Sequence, residues 1–356
     1  MRIVLAGGGT GGHIIPNIAL YQELKKEMGE KLDVLYIGSK KGLDRNLVEA
    51  NGLKFEGINC GKLRRYFSWE NFTDLFRTVA GIWESFWKIQ GFKPEVIFCK
   101  GGYVSLPVAV AGRIAGVPVI LHESDVVPGL ANRLAGRLAS RICVSFGESK
   151  RYFKEMVDKV ELTGNPVRAE IAEGNRKKAM ELSGLNEEKP VILVMGGSQG
   201  AAFVNELIWN NLDKLLEKFQ IIHICGQGKL NKEKAGVGYF SLEFAAEELK
   251  DFYALSDLII TRAGANSLAE IEFLGRPAVL IPLIKGSRGD QIENAEIFAK
   301  NNPAMIINEK TFNQQQEQKL AVYLMKLMDK SKDLKRKKSS AAEKIATIIK
   351  SYAKKS

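Results

Sequence analysis

The sequence predicts an α/β protein made of two doubly wound domains, on three observations. Short runs of β-branched and aliphatic residues recur, each followed by a glycine or polar turn and then a longer stretch with helical spacing. These runs are apolar throughout and do not alternate, as parallel strands must be when helices cover both faces of their sheet. The pattern also restarts at Val191, and 356 residues is a length for two domains at roughly 150 residues each.

The first series places strands at residues 2–6, 34–37, 96–99, 117–122 and 142–146, and the second at 191–195, 221–225, 258–261, 278–282 and 305–307. Each series opens with a strand running directly into glycines, Gly7-Gly8-Gly9-Thr10-Gly11-Gly12 in one and Gly196-Gly197-Ser198-Gln199-Gly200 in the other. The polar segment 150–189, with Gly164-Asn165-Pro166, separates them. The domains are therefore expected at residues 1–161 and 162–337. Ala341, Ala342, Ile345, Ile348, Ile349 and Tyr352 recur at helical spacing, so a terminal helix at about 338–356 is expected to return to the first domain.

Lys and Arg outnumber Asp and Glu by 52 to 41, a net charge of +11, which favours an anionic partner: nucleic acid, a phosphorylated metabolite or an acidic membrane surface. Cys60, Cys99, Cys143 and Cys225 lie far apart with no C-x-x-C pair, which suggests neither a zinc site nor a disulfide framework and fits a reducing cytoplasm. The apolar run after Met1 is too short for a secretory signal. The longest apolar stretch, 104–121, is broken by Gly112, Arg113, Gly116 and two prolines, so any membrane contact is expected to be peripheral.

Gly7, Gly9 and Gly12 fit G-x-G-x-x-G, a turn stripped of side chains so that N–H groups at a helix start can approach phosphate. The following strand ends in Gly38-Ser39-Lys40 without the acid that holds a dinucleotide's ribose, which argues against NAD or FAD. His13 closes this loop at the carboxyl edge of the sheet, a place for a general base or a phosphate donor. Gly101, Gly102 and Tyr103 follow another strand and either lend N–H groups to the same anion or form a plain β-to-α turn. His122, Glu123, Ser124 and Asp125 end the next strand, where an acid orients a sugar hydroxyl, acts as base, or caps a helix.

In the second half, Gly196–Gly200 reads as an anion nest to which Ser198 and Gln199 add hydrogen bonds; it is not a P-loop, which disfavours ATP-driven phosphoryl transfer. The segment Arg262-Ala263-Gly264-Ala265-Asn266-Ser267-Leu268-Ala269-Glu270 opens a helix after a strand. Glu270 lies too deep to cap it, and a carboxylate facing a cleft can take two vicinal ribose hydroxyls, whereas one on the helix surface does nothing special.

The motifs G-G-G-T-G-G-H at 7–13, H-E-S-D at 122–125, T-G-N-P-V-R at 163–168, G-G-S-Q-G at 196–200, R-A-G-A-N-S-L-A-E at 262–270 and G-D-Q-I-E-N-A at 289–295 occur in the order that resembles the bacterial peptidoglycan N-acetylglucosaminyltransferases of the MurG family, from Met1 to about Asn308. The resemblance implies two Rossmann-like domains facing across a cleft, the GT-B arrangement. It implies transfer of N-acetylglucosamine, with inversion, from UDP-N-acetylglucosamine to lipid I, the muramoyl-pentapeptide on undecaprenyl pyrophosphate, giving lipid II. Carried over by motif, Glu270 holds the ribose, Phe244 and Ala245 the uracil, and Arg168 and Ser198 the diphosphate. Gln291, Asn294 and the backbone at Ala265 face the sugar, and Thr10, Gly11, Gly12, Asn165 and Gln199 complete the donor set. Gly9, Thr10, Gly11, Gly101, Gly102 and Tyr103 cradle the acceptor pyrophosphate. Many members read H-E-Q-N where this chain has His122-Glu123-Ser124-Asp125, and Asp290 replaces a frequent Gln.

Catalysis is expected from His13 as base, with Glu123 and Asp125 as the alternatives. No metal-ligand cluster is evident; no cofactor is expected to be required, and Mg2+ is an optional aid. Nine of the thirty aromatic residues fall in 62–92, beside Lys62, Arg64 and Arg65. Trp69, Phe72 and Phe76 with these bases would form an interfacial surface at the cytoplasmic face of the plasma membrane, with anionic inner-leaflet lipid as partner. The same helical spacing of Phe72, Phe76, Val79, Trp83 and Trp87 otherwise signals a core-facing stripe. Cell-wall synthesis proteins are further candidate partners. The rivals are another UDP-sugar transferase of the same fold, a UDP-N-acetylglucosamine epimerase, and a basic nucleic-acid-binding protein, the last disfavoured because no binding module is recognisable.

Overall fold

The computed structural model of the chain describes every residue except 42–43, 62–69, 198–199, 235, 285–288, 332–333, 335–339 and 354–356. The chain divides into two compact units, Met1–Arg168 with Ser339–Ser356, and Ala169–Lys338.

The first unit is built on a seven-stranded parallel sheet of β1 (Arg2–Ala6), β2 (Asp33–Ser39), β3 (Lys54–Ile58), β4 (Val96–Cys99), β5 (Val119–Glu123), β6 (Arg141–Val144) and β7 (Val160–Leu162), in the order β3-β2-β1-β4-β5-β6-β7. The second carries a six-stranded parallel sheet of β8 (Val191–Met195), β9 (Gln220–Ile224), β10 (Tyr239–Leu242), β11 (Leu258–Thr261), β12 (Ala278–Leu280) and β13 (Ala304–Ile306), in the order β10-β9-β8-β11-β12-β13. Both domains are thus doubly wound.

Successive side chains of a strand point to opposite faces, and here both faces are dry. Ile3, Leu5, Tyr36 and Phe98 join Ile14, Ile18 and Leu24 of the helix Gly11–Met28 and Ile345 and Ile349 of the helix Ala341–Ala353. Val4, Ala6, Ile97 and Leu121 face the other way, onto Val104, Val108 and Ala111 along the helix Ser105–Ile114. In the second unit Ile192, Val194, Leu258 and Ile260 pack with Val204 and Leu207 of the helix Ala202–Asn210 and with Leu320 and Leu324 of the helix Leu320–Asp329. The terminal helix is tied to Glu27 through Lys350, and the Tyr352 hydroxyl donates to the Ser140 carbonyl at 3.2 Å.

Three strands escape the sequence pattern: β3, β7 and β10, all at sheet edges. An edge strand lacks a neighbour on one side and tolerates polar residues; all four residues of β10 are only partly buried, and β3 and β7 carry Glu56 and Glu161. Because β7 pairs with β6, the first unit runs past the expected boundary at residue 161.

The aromatic helix, Glu70–Phe92, turns its apolar stripe outward. Its inward face is Asp74, Thr78, Gly81, Ser85 and Ile89, all buried, whereas Phe76, Val79, Trp83 and Trp87 are each more than half exposed. Gly81 decides the orientation: a Cβ there would stand 1.9 Å from the Asn59 carbonyl oxygen, so only glycine permits this approach. The inward hydroxyls are satisfied within the helix, Thr78 donating to the Asp74 carbonyl at 2.8 Å and Ser85 to the Gly81 carbonyl at 2.6 Å. The core-facing reading is therefore wrong for Phe76, Val79, Trp83 and Trp87. Among the described residues, no helix is long and apolar enough to cross a membrane.

Candidate active site

In each sheet the strand order reverses beside the first strand of its series, between β1 and β4 and between β8 and β11. Loops leaving the carboxyl ends of such a pair run to opposite faces and open a crevice, the place where doubly wound folds bind ligands.

In the first unit the crevice loop begins at Gly7. Gly9 has φ +84°, and a Cβ there would stand 2.3 Å from the Tyr103 ring; both conditions call for glycine. Its N–H donates to the Asp44 carboxylate at 3.0 and 3.1 Å, and the Ser39 N–H reaches the same group at 3.0 Å. Asp44 is buried, and that burial raises its carboxyl above the usual range. A Cβ on Gly8 would fall 2.0 Å from Asp44 Oδ2. The protein's own side chains therefore account for Gly8 and Gly9. What faces an incoming anion is the start of the helix at Gly11: Thr10 occupies its N-cap without a side-chain capping bond, and Thr10 and Gly12 are exposed.

His13 lies half-buried in that helix's first turn. Its ring rests on Gly102, where a Cβ would meet Nε2 at 2.9 Å, so the β1 and β4 loops fit together through a missing side chain. Ser105 Oγ accepts from the Gly101 N–H at 2.9 Å and donates to the Gly101 carbonyl at 2.7 Å, fixing the turn that leads to Tyr103.

The carboxyl end of β5 adjoins the β4 loop: a Cβ on Gly101 would stand 3.2 Å from the His122 carbonyl oxygen. His122 is fully buried with Nε2 2.9 Å from the Gly164 carbonyl, and burial, then the charge of Lys100, holds it neutral, well below its ordinary pKa. The Glu123 carboxylate accepts from the Asp125 N–H at 3.0 Å and from the Asn132 amide at 2.8 Å. Burial, followed by the charge of Asp125, pushes the Glu123 carboxyl up to about 7. Neither Ser124 nor Asp125 caps a helix, since the helix Leu130–Leu138 begins after Gly129. Lys100 has no exposed surface and donates to Ser124 Oγ; burial pulls it down to about 8 against the charges of Glu123 and Asp125.

In the second unit, β11 ends at Thr261 and the helix Ala265–Leu274 starts after Gly264, whose N-cap position carries no side chain to cap it. Ala265 is buried and Glu270 partly exposed. Tyr253, itself 1% exposed, donates its hydroxyl to Glu270 Oε2 at 2.9 Å and so fixes the carboxylate. Asn294 is fully buried and donates to the Ala263 carbonyl at 3.3 Å, supporting the helix start. The Gln291 amide oxygen accepts the Leu283 N–H at 3.0 Å. Phe244 is 65% exposed and Ala245 buried in the turn after β10. Gly200 donates to the Gly197 carbonyl at 2.8 Å, and a Cβ on Gly200 would stand 2.2 Å from the Cys225 carbonyl oxygen.

Ser198, Gln199, Lys62, Arg64, Arg65 and Trp69 lie outside the described residues, as does the side chain of Phe72. Asn165 is buried and Arg168 partly so, in the segment after β7. Sequence reasoning passed over Asp44, Lys100, Asn132 and Tyr253. Of these only Lys100 leaves a local trace, a charge wedged between an apolar strand and a glycine pair.

Sequence models of the glycosyltransferase family 28 N-terminal and C-terminal domains match residues 3–144 and 191–352. The chain is 45% identical over 361 residues to a Legionella pneumophila (strain Lens) protein named UDP-N-acetylglucosamine--N-acetylmuramyl-(pentapeptide) pyrophosphoryl-undecaprenol N-acetylglucosamine transferase, covering 99% of this chain and 97% of that one. A protein of the same name from Clostridium botulinum (strain Langeland) is 42% identical over 357 residues, 99% of each chain. The fold matches the crystal structure of Acinetobacter baumannii MurG with a TM-score of 0.72 at 22% identity, over 99% of this chain and all (100%) of that one. A UDP-GlcNAc 2-epimerase from Neisseria meningitidis, solved with UDP-GlcNAc, matches at 0.70 and 14% identity over 100% of both chains. Fold alone therefore does not separate transferase from epimerase; sequence likeness does.

Proposed function

The chain belongs to glycosyltransferase family 28, and from that premise we propose how its residues serve the reaction. It is a glycosyltransferase that moves N-acetylglucosamine from UDP-N-acetylglucosamine to lipid I, forming lipid II in peptidoglycan synthesis. The observation that carries this conclusion is the 45% identity over nearly the whole length of a transferase of that name. The acceptor's C4 hydroxyl attacks the anomeric carbon, the bond from that carbon to the UDP oxygen breaks with inversion, and the hydroxyl proton passes to a base. Incubation with labelled donor and a lipid I analogue tests donor, acceptor and product together.

In this reading the first unit takes the acceptor. The helix start at Gly11 and the backbone of Gly101 and Gly102 hold its pyrophosphate by the N–H groups an anion favours. His13 accepts the proton. The second unit takes the donor: Glu270 binds the ribose hydroxyls, Phe244 and Ala245 the uracil, and the glycine loop after β8 with the helix start at Ala265 the diphosphate, joined by Arg168. Charge building on the departing UDP meets donors already in place, so little reorganisation is needed. These steps use only the chain's own residues and need no cofactor; Mg2+ would add positive charge at the diphosphate.

Tyr253 has a testable part in this donor site. Tyr253→Phe keeps the packing and removes the hydroxyl bond to Glu270 Oε2, so the carboxylate loses its fixed orientation. UDP affinity by calorimetry is expected to fall about 3- to 10-fold, a hydrogen bond's worth. In a Glu270→Ala background the same change is expected to cost nothing further, because only the pair couples.

The membrane surface we propose is the outward stripe of the helix Glu70–Phe92, adjoining Lys62, Arg64 and Arg65 in sequence, docked peripherally on the cytoplasmic leaflet. Exposed Trp83 and Trp87 with Lys40 and Lys88 alongside match what an interface rewards. Replacing Phe76, Trp83 and Trp87 together with serine is expected to cut co-sedimentation with phosphatidylglycerol vesicles about tenfold or more while sparing UDP affinity. Salt is expected to weaken the remaining binding by screening the bases. Unchanged co-sedimentation would place the membrane surface elsewhere.

A further inference from the structure

Lys100 is a fully buried lysine whose N–H is held by the Ala6 carbonyl at 2.8 Å, so its side chain starts at the point where β1 and β4 part. It ends on Ser124 Oγ, between two acids that close the β5 strand. A buried ammonium costs several kcal/mol unless it is paired, and two neighbouring carboxylates repel each other unless a cation stands by. Each half of the cluster removes the other's penalty.

We propose that Lys100 is a positioning residue of the acceptor site: through Ser124 it holds the 123–125 segment in one conformation, and its charge offsets the repulsion between Glu123 and Asp125 at the end of β5. This role presupposes that the first unit's crevice takes the acceptor. The other groups around the cluster are His122 from β5, kept neutral by burial, His13 from the helix Gly11–Met28, and Asn132 from the helix Leu130–Leu138, whose Arg133 is turned away onto the Tyr152 ring. The Ser149 hydroxyl donates to the Asp125 carbonyl at 3.2 Å and anchors the far side of the segment.

The test is the kcat–pH profile with UDP-N-acetylglucosamine and a lipid I analogue for Lys100→Met and Lys100→Arg, with thermal melting and UDP calorimetry as checks of the fold. Wild-type turnover is the baseline: if the wild type does not turn over, the functional reading fails, independently of Lys100. Against an active wild type, Lys100→Met is expected to lower kcat at pH 7 about tenfold and move the acid limb up by about one pH unit, since the base at this crevice, imidazole or carboxylate, takes a proton more readily once the neighbouring cation is gone. Lys100→Arg keeps the charge and is expected to hold the limb near its original position. UDP affinity, read in the other unit, should not change. A folded Lys100→Met with the wild-type profile overturns the proposal. Should Lys100→Met fail to fold, Ser124→Ala decides: a rise of about threefold or more in the acceptor's KM with unchanged UDP affinity supports the proposal, and wild-type kinetics overturn it.

Discussion

Replacing His13 with alanine is expected to lower turnover at saturating donor and acceptor by roughly 10²–10⁴-fold while leaving UDP affinity intact. The imidazole sits in the first turn of a helix whose start faces the crevice, pressed on Gly102 of the opposing loop. It is half-buried, near enough to solvent to meet a ligand and held well enough to be aimed. The alternatives at the same crevice are more constrained: both oxygens of Glu123 already accept hydrogen bonds, and only 4% of its surface is exposed. Asp125 is partly exposed and is the stronger of the two. If His13 is the base, His13→Ala also erases the acid limb of the pH–rate profile. If instead kcat is preserved and only the acceptor's KM rises, His13 binds the pyrophosphate, and the proton goes to Asp125 or Glu123.

Glu270→Ala is expected to weaken UDP binding by on the order of 1.5–3 kcal/mol, the cost of charge-assisted hydrogen bonds to the ribose. That is about ten- to a hundredfold in Kd by calorimetry. Melting should change little, because the side chain is partly exposed and its loss costs the Tyr253 hydroxyl one hydrogen bond. UDP affinity equal to wild type would return Glu270 to an ordinary helix surface and remove the donor assignment from this crevice.

The central strands were legible because their chemistry is local. Val191–Met195 and Leu258–Thr261 are covered on both faces, and a continuous apolar run has no other stable home in a soluble domain. The edge strands β3, β7 and β10 were not, since half of their environment is missing. Periodicity marked the aromatic stripe of 72–87 but carries no direction. Direction came from the opposite face, where Gly81 admits the Asn59 carbonyl. The glycine loop is plain in the sequence, yet two of its glycines answer Asp44 and Tyr103, partners that only the fold brings within reach. Likewise Tyr253 and Glu270 are separated in sequence by the whole of β11, and Lys100 meets Ser124 across β4 and β5.

The central claim, that this chain joins N-acetylglucosamine to lipid I, is tested most directly by one measurement. Purified protein is incubated with UDP-[14C]N-acetylglucosamine and a lipid I analogue bearing a prenyl pyrophosphate, and the lipid fraction is separated and counted. Label is expected in a disaccharide-lipid product, with UDP released in equal amount and no label transferred when the acceptor is omitted. Consumption of the donor without acceptor, yielding an epimerised sugar and no labelled lipid, would contradict it.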